Sequence, residues 1–599
     1  MAELIISPWH RFLNLLGRHG CGRILVSLGV GAILLRWFYQ VYNRRRVTKQ
    51  LEDKRNKLQE RINKFRQSLE QYSSSKAELL SLTEQDLSQL RRGLDEKRFT
   101  PLDVLHAFQF KALSLYDAGN SGICEFIQEA EDEFNELQQS DENADRAPLY
   151  GIPVSIKETM NVTNYDSTAG VIKRCGVSNT EDCVLVRVLR SSGAIPFVLT
   201  STSQALRAID GVNFIFGDAV NPHDKSRICG GSSSGEAVLL AQKGSPIGIA
   251  SDIGGSIRIP AAFCGLASLK PTSNRLSIIG LTNLARHSVF GLRACPGPMG
   301  QQVEDLADVL RTLLTPLMFN LDHEVLPFPF NETLYSGGNK ATLHIGFYTN
   351  LQDENVMQTV PSVRAAVTYA ADVLRKAGHH VYTFNPPTPS EAYRLYIRSI
   401  FADGGREFLS VIAHEPIGVQ LRFLKVMLSL PNWIKSVADI FTRFAGIRPI
   451  TNASSLGGLR DIREAFDLTI AVQKYRSEFQ KAWIENGDFD ALICPVSAYP
   501  APPVNAKAMF ITPSLVYAAL YNLVDYPAGT VRVGTTDEAD VMEATKSAVN
   551  RRLDGDWYGS HIDNMQQGSE NLPLCVQVVG RPYQEEVVLR VMRIIEHAE

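Results

Sequence analysis

The sequence predicts an α/β fold: a large mixed, mostly parallel twisted β-sheet covered by helices on both faces, preceded by a single N-terminal transmembrane helix. Three observations carry that expectation. From residue 149 onward the short β-rich runs GIPVSI, IPFVLT, SPIGIAS, TLHIGFY, HHVYTF, ALICPV and LCVQVVG are separated by helical segments. Alternation on this scale builds a sheet with helices packed over it. Between TLHIGFY and HHVYTF, the run SVRAAVTYAADVLRKAG opens on a Ser cap, carries Val363, Val367, Ala370 and Leu374 on one face and closes on Gly378, which makes one βαβ unit. Finally, Ile24 to Leu35 is uncharged and its apolar character continues past Arg36 through Trp37, Phe38, Tyr39, Val41 and Tyr42.

Taken in chain order, residues 1–46 are expected to form a membrane anchor, with the span at about 24–42 and Arg36 snorkelling to the interface. A cleaved signal peptide and an interfacial helix are the alternatives. Positive charge is heavier after the segment (Arg44, Arg45, Arg46, Lys49) than before it (Arg11, Arg18, Arg23). That bias places the body of the chain on the cytoplasmic side of the membrane, which is expected to be an intracellular, endoplasmic reticulum-like one. Residues 47–98 read as a charged helical linker, in which Val47, Leu51, Leu58, Ile62, Phe65 and Leu69 form one apolar stripe. The stripe suits either a short coiled coil or a juxtamembrane helix resting on the main domain. Thr100, Pro101 and Asp103 form a capping-box-like helix start, and the catalytic domain is placed at 99–599.

Composition narrows the function. The 599 residues are 44% hydrophobic and 21% charged, ordinary globular usage that excludes wholesale disorder. A net charge of -3 gives no electrostatic reason to expect nucleic acid as a partner. Nine cysteines without a CxxC pair argue against a disulfide framework and a structural zinc site.

Chemistry concentrates between Cys229 and Pro260, in CGGSSSGEA and SDIGGSIRIP. Neither run has the lysine and spacing of a phosphate loop. An acyl-transfer site needs a nucleophile, a base and donors for the developing oxyanion. If Asp252 to Ser256 form a turn between a strand and a helix, the N–H groups of Ile253, Gly254, Gly255 and Ser256 converge beside the Ser256 hydroxyl. The alternating run Ile152, Val154, Ile156 leads to Lys157, where desolvation in a buried strand lowers the lysine pKa toward that of a useful base. The competing interpretations are tight turns and an exposed strand-end lysine. A Ser-His-Asp triad is disfavoured, because His223 sits in NPHDK and there is no GxSxG elbow.

GGSSSGEA followed by SDIGGSIRIPAAFCGLASLKPT resembles the amidase signature of serine hydrolases that use a Ser-Ser-Lys triad. The resemblance runs from about residue 100 to the C-terminus and, with the N-terminal anchor, is strongest to the members that cleave fatty-acid amides. It implies the amidase signature fold, with Ser256 as nucleophile, Ser232 as bridging serine after a cis peptide bond and Lys157 as the ultimate base. It also implies Ile253, Gly254, Gly255 and Ser256 as oxyanion-hole donors and Leu206 as a substrate contact. No metal or organic cofactor is implied. The expected partners are a lipid amide (N-acylethanolamines or primary fatty-acid amides), the membrane bilayer and a second copy in a homodimer.

The segment 417–444 reads as two amphipathic helices broken at Pro431, their apolar residues flanked by the basic Arg422, Lys425, Lys435 and Arg443, within a membrane-associating cap at about 411–446. A core-facing hairpin is the alternative. In STSQALRAID the chain departs from the resembled pattern, because Ala205, Leu206 and Arg207 stand where a serine, a methionine and a phenylalanine are expected. An arginine in an acyl channel is costly unless paired or turned to solvent. Ser234 replaces a glycine of the pattern, and Cys264 is expected to be buried packing. A glutaminase-type amidase subunit and a catalytically silent tethered scaffold are the rival functions.

Overall fold

The computed structural model describes residues 20–140, 147–282, 291–338, 340–444 and 453–598. Among these, eleven strands form one sheet: β1 (Ile123–Phe126), β2 (Pro153–Lys157), β3 (Ile195–Thr200), β4 (Ile247–Asp252), β5 (Ala267–Lys270), β6 (Cys295–Gly300), β7 (His344–Phe347), β8 (His380–Thr383), β9 (Ala491–Cys494), β10 (Ala528–Thr535) and β11 (Pro573–Gly580). Their spatial order is β1-β3-β2-β4-β6-β5-β10-β11-β9-β7-β8. Side chains alternate across the sheet: Ile493 and Val578 enter one apolar cluster, while Leu492 and Val579 enter another. Both faces are therefore buried under helices.

The sheet is mixed rather than mostly parallel. β3-β2-β4 and β9-β7-β8 run parallel, but the other six neighbouring pairs are antiparallel. The expected runs each contain a strand, whereas β1, β5, β6 and β10 were not read from the pattern. Three of those four lie side by side in the middle of the sheet and reverse its direction there. β6 reads CPGPMG, and proline and glycine are the weakest strand signals available.

The helix Gly20–Glu70 continues without a break through the boundary expected at residue 46. Val47, Leu58, Ile62, Phe65 and Leu69 are buried, and Leu58 to Leu69 share the apolar cluster that holds Val154 and Ile156 of β2. The stripe is thus part of the main core, not a coiled coil. Lys54 adds a buried ion pair, with Nζ 2.6 Å from Glu125 and 3.2 Å from Asp166.

The expected single-pass span is not borne out among the described residues. Among the described residues no helix is long and apolar enough to cross a membrane. Arg23 and Arg36 bracket only residues 24–35, about 18 Å of helix at 1.5 Å per residue against a hydrocarbon core of roughly 30 Å. Residues 1–19, with Arg11 and Arg18, lie outside the described residues. What the helix does present is apolar surface: Ile33, Leu34, Leu35, Trp37, Phe38, Tyr39 and Tyr42 are exposed. Tyr39 meets His414 edge-on at 5.7 Å, so this end of the helix reaches the start of the cap.

The cap is a pair of helices, Val419–Ser429 and Asn432–Phe444, with Pro431 between them; residues 445 and 446 lie outside the described ones. Leu421 and Leu428 turn inward, while Val419, Val426, Trp433, Val437, Ile440 and Phe441 stay exposed, Trp433 at 70%. Lys435, read as a basic flank, is instead buried, donating to the carbonyls of Leu428 and Leu456, both at 3.2 Å.

Candidate active site

Lys157 ends β2, a strand buried at every position, and is itself 1% exposed. Its Nζ lies 2.9 Å from Ser233 Oγ, 3.0 Å from Ser232 Oγ and 3.3 Å from the Ser251 carbonyl. Burial pulls its pKa down to about 7, against the opposing charges of Asp252, Glu158 and Glu236. An ammonium fills all three contacts as a donor. A neutral amine donates to two and presents its lone pair to a hydroxyl, which is the state a base requires.

The carboxylates around this lysine are themselves buried and satisfied. Glu236 accepts from Thr200 Oγ1 at 2.6 Å and from Ser155 Oγ, tying β3 to β2, and burial pushes it up to about 7. Glu158 accepts from the N–H and hydroxyl of Thr168, the Gly170 N–H and the Thr202 hydroxyl. Burial still raises its pKa, because desolvation outweighs those four donors.

Ser232 follows a cis Gly231-Ser232 peptide bond and precedes the helix Ser234–Ala241. It is buried. Ser256 lies in the turn between β4 and the helix Arg258–Cys264, half-buried. The Ser233 N–H donates to the Ser256 carbonyl at 3.2 Å, which joins the two motifs through the backbone.

Asp252 organises this turn. Its carboxylate accepts from the N–H groups of Gly255 at 2.7 Å and Ile257 at 3.0 Å, and from Arg258 Nε at 3.1 Å and Nη2 at 3.0 Å. Although burial acts to raise its pKa, the Arg258 guanidinium and these donors hold it well below the usual carboxylate range. Gly255 has φ +112°, a conformation open to glycine. Arg258 reaches on to the Ala518 carbonyl, Gln577 Oε1 and Asn522 Oδ1.

One cavity runs from this turn to the cap. Ser256, Ile253, Gly254 and Gly231 line it together with Leu206 and Arg207 and with Gln420, Phe423, Leu424 and Met427 of the first cap helix. Gly255, whose N–H is held by Asp252, is absent from that lining. Ala205 and Leu206 have φ +54° and +57°, a left-handed pair of non-glycine residues of the kind found where a chain is bent to meet a ligand. Arg207 lines the cavity, and one of its bonds is from Nη1 to the Leu206 carbonyl at 3.4 Å.

Other sequence expectations fall outside this site. His223 sits in a loop with Nε2 3.0 Å from the Cys264 carbonyl, a packing role. Cys264 is buried, and burial raises its thiol pKa far above the ordinary value. Sequence reasoning missed Ser233, Glu236 and Tyr396. The first two stood in the quoted GGSSSGEA motif; Tyr396, on the helix Pro389–Ile400, gave no signal.

A family model described as Amidase matches residues 103–589. The chain is 37% identical over 460 residues to fatty-acid amide hydrolase 1 of Sus scrofa, covering 75% of each. It is 31% identical to fatty acid amide hydrolase 1 of Caenorhabditis elegans, covering 96% of this chain and 99% of that protein. A solved structure of a fatty acid amide hydrolase shares the fold, with a TM-score of 0.71 over 92% of this chain and 94% of that one at 22% identity.

Proposed function

The chain belongs to the amidase family, and on that premise we propose that it cleaves fatty-acid amides, N-acylethanolamines and primary fatty-acid amides, to free fatty acid and amine. It is an amide-cleaving hydrolase of the fatty-acid amide hydrolase type. The observation that carries the mechanistic reading is the buried amine of Lys157 at 3.0 Å from Ser232 Oγ, in a motif joined through the Ser233 N–H to the carbonyl of Ser256, which lines the cavity.

In this reading neutral Lys157 takes a proton from Ser232 as Ser232 takes one from Ser256, whose oxygen attacks the amide carbonyl. The N–H groups of Ile253, Gly254 and Ser256 receive the oxyanion, while Gly255 shapes the turn through its bond to Asp252. The proton then returns: Lys157 gives it to Ser232, and Ser232 hands its own to the departing amine, so the nitrogen leaves neutral. Water completes the cycle by cleaving the acyl-enzyme.

Lipid contact belongs to the same reading. The exposed apolar residues of the cap and of positions 33–42 supply a surface for a bilayer, and Phe423 is both exposed and a wall of the substrate cavity. The basic run Arg44-Arg45-Arg46 favours the cytoplasmic leaflet of an intracellular membrane. Two copies side by side in a homodimer would present two such caps to one membrane.

The test is release of fatty acid from a long-chain N-acylethanolamine by detergent-solubilised protein beside Ser256→Ala. Turnover abolished by the substitution supports the reading. Hydrolysis that survives Ser256→Ala contradicts it.

A further inference from the structure

Tyr396 is a buried phenol that the Ser-Ser-Lys chemistry leaves unused. It lies on the helix Pro389–Ile400, is 6% exposed and lines the substrate cavity with Ser256 and Gly254. It meets the reactive turn tip-first: a Cβ added to Gly254 would sit 1.9 Å from the Tyr396 hydroxyl oxygen, 2.9 Å from Cζ and 3.5 Å from Cε2. The phenol oxygen thus takes the space a side chain at 254 would need, and lies within about 3.4 Å of the Gly254 Cα.

Neighbouring groups hold the ring, but none engages the hydroxyl. Tyr396 stacks on Tyr393, with ring centroids 6.3 Å apart and planes 11° apart. Tyr393 donates to the Thr512 carbonyl at 3.0 Å, whereas the Tyr396 hydroxyl makes no hydrogen bond among the described residues. Two acceptors on residues of the same cavity wall are already taken: the Thr512 carbonyl by Tyr393, and Gln420 Oε1 by the Ile209 N–H at 3.1 Å. Burial pushes the Tyr396 phenol up to about 12, against the charge of Arg207, so it is a donor at neutral pH. A buried donor without an acceptor is unfavourable, and the acceptor that enters this cavity is the substrate.

The amide carbonyl is the acceptor that the geometry favours. The Gly254 nitrogen, whose N–H is read above as an oxyanion donor, is one bond from the Cα beside the phenol oxygen. The two donor atoms therefore lie within about 4.9 Å of each other, while two hydrogen bonds to one shared oxygen span up to about 5.7 Å. One oxygen can accept from both. As Ser256 Oγ bonds to the carbonyl carbon, the π pair of the C=O moves onto that oxygen. The phenol hydrogen bond strengthens with the growing charge, and its proton stays on the phenol.

We infer that the Tyr396 hydroxyl is a side-chain donor to the oxyanion, a catalytic residue that adds to the backbone N–H groups of the turn 253–256. The inference rests on the amide-hydrolase reading and deepens it.

The experiment compares wild type with Tyr396→Phe, full-length in detergent, on N-dodecanoylethanolamine and on dodecanamide. Inhibition by a dodecyl trifluoromethyl ketone, whose carbonyl carbon takes the Ser256 oxygen and whose own oxygen becomes the oxyanion, is measured beside thermal unfolding of both proteins. The expected result is a kcat lower by about a hundredfold on both amides, with KM changed by less than about threefold. Ketone inhibition weakens by a similar factor, and the unfolding midpoint stays where it was, because the substitution removes no hydrogen bond within the protein. A kcat within about threefold of wild type overturns the inference. So does a loss confined to the ethanolamide, which would put the phenol on the headgroup, or a loss matched by a lowered unfolding midpoint, which would put it in the fold. Each of these leaves the amide-hydrolase reading standing. Wild-type turnover of neither amide overturns both.

Discussion

Lys157 Nζ stands 3.0 Å from Ser232 Oγ, at a strand end that solvent does not reach. A lysine held there at a pKa of about 7 is half neutral near physiological pH, whereas the same residue in solution is almost wholly charged. Only the neutral form accepts a proton, so kcat/KM is expected to rise tenfold per pH unit below about 7 and to level above it. A pH profile of the wild type checks this. Lys157→Ala should lose that limb and most of the activity, falling by about a hundredfold or more at neutral pH.

The same shift has a consequence for stability, with a definite sign. The folded-state pKa is depressed from 10.5 to about 7, so between those values the unfolded chain binds more protons than the folded one. Stability contributed by this residue therefore rises with pH across that window. Lys157→Met, which fills the space without a charge, is expected to raise the unfolding midpoint at pH 7 and to flatten its rise toward pH 10. Thermal unfolding of both proteins over that range is the check.

Asp252 and Arg258 are a fully buried pair, 3.0 Å apart. Removing the guanidinium strands a carboxylate that also holds the N–H groups of Gly255 and Ile257. Arg258→Ala is expected to cost about 3–5 kcal/mol and to slow labelling of Ser256, because the turn loses its support. Denaturant unfolding and fluorophosphonate kinetics on the same variant separate the two effects.

Trp433 and Phe441 are 70% and 69% exposed on the second cap helix, and neither lines the substrate cavity. Changing both to serine is expected to weaken binding to lipid vesicles by about tenfold, since each aromatic ring buries an apolar payload at an interface. Vesicle flotation measures it; unchanged binding would mean that the cap faces something other than lipid.

How much of this was legible in the sequence follows from where the signals are local. Ser256, Gly254 and Lys157 announced themselves because a glycine-hydroxyl turn and an alternating apolar run ending on lysine are short patterns. The βαβ unit around Pro361–Lys376 was legible for the same reason. β10 was not, because AGTVRVGT places glycine where a strand signal needs a side chain. The mixed sheet direction depends on β5, β6 and β10 pairing across the middle, which no local pattern encodes. Lys435 looked like a surface cation because two acceptor carbonyls, one of them in Leu456, are visible only in three dimensions. Arg207 was readable as a departure from the resembled pattern, whereas Tyr396, which lines the same cavity, lies far along the chain.

The central claim is that Ser256 is the nucleophile and that Lys157 activates it. The most direct measurement is peptide mass spectrometry of the protein after brief treatment with a long-chain fluorophosphonate, in wild type and in Lys157→Ala. The account predicts one adduct, on Ser256, formed quickly in wild type and much more slowly without the lysine. An adduct on Ser232 or Ser233, or one on Ser256 formed at the same rate in both proteins, would contradict it.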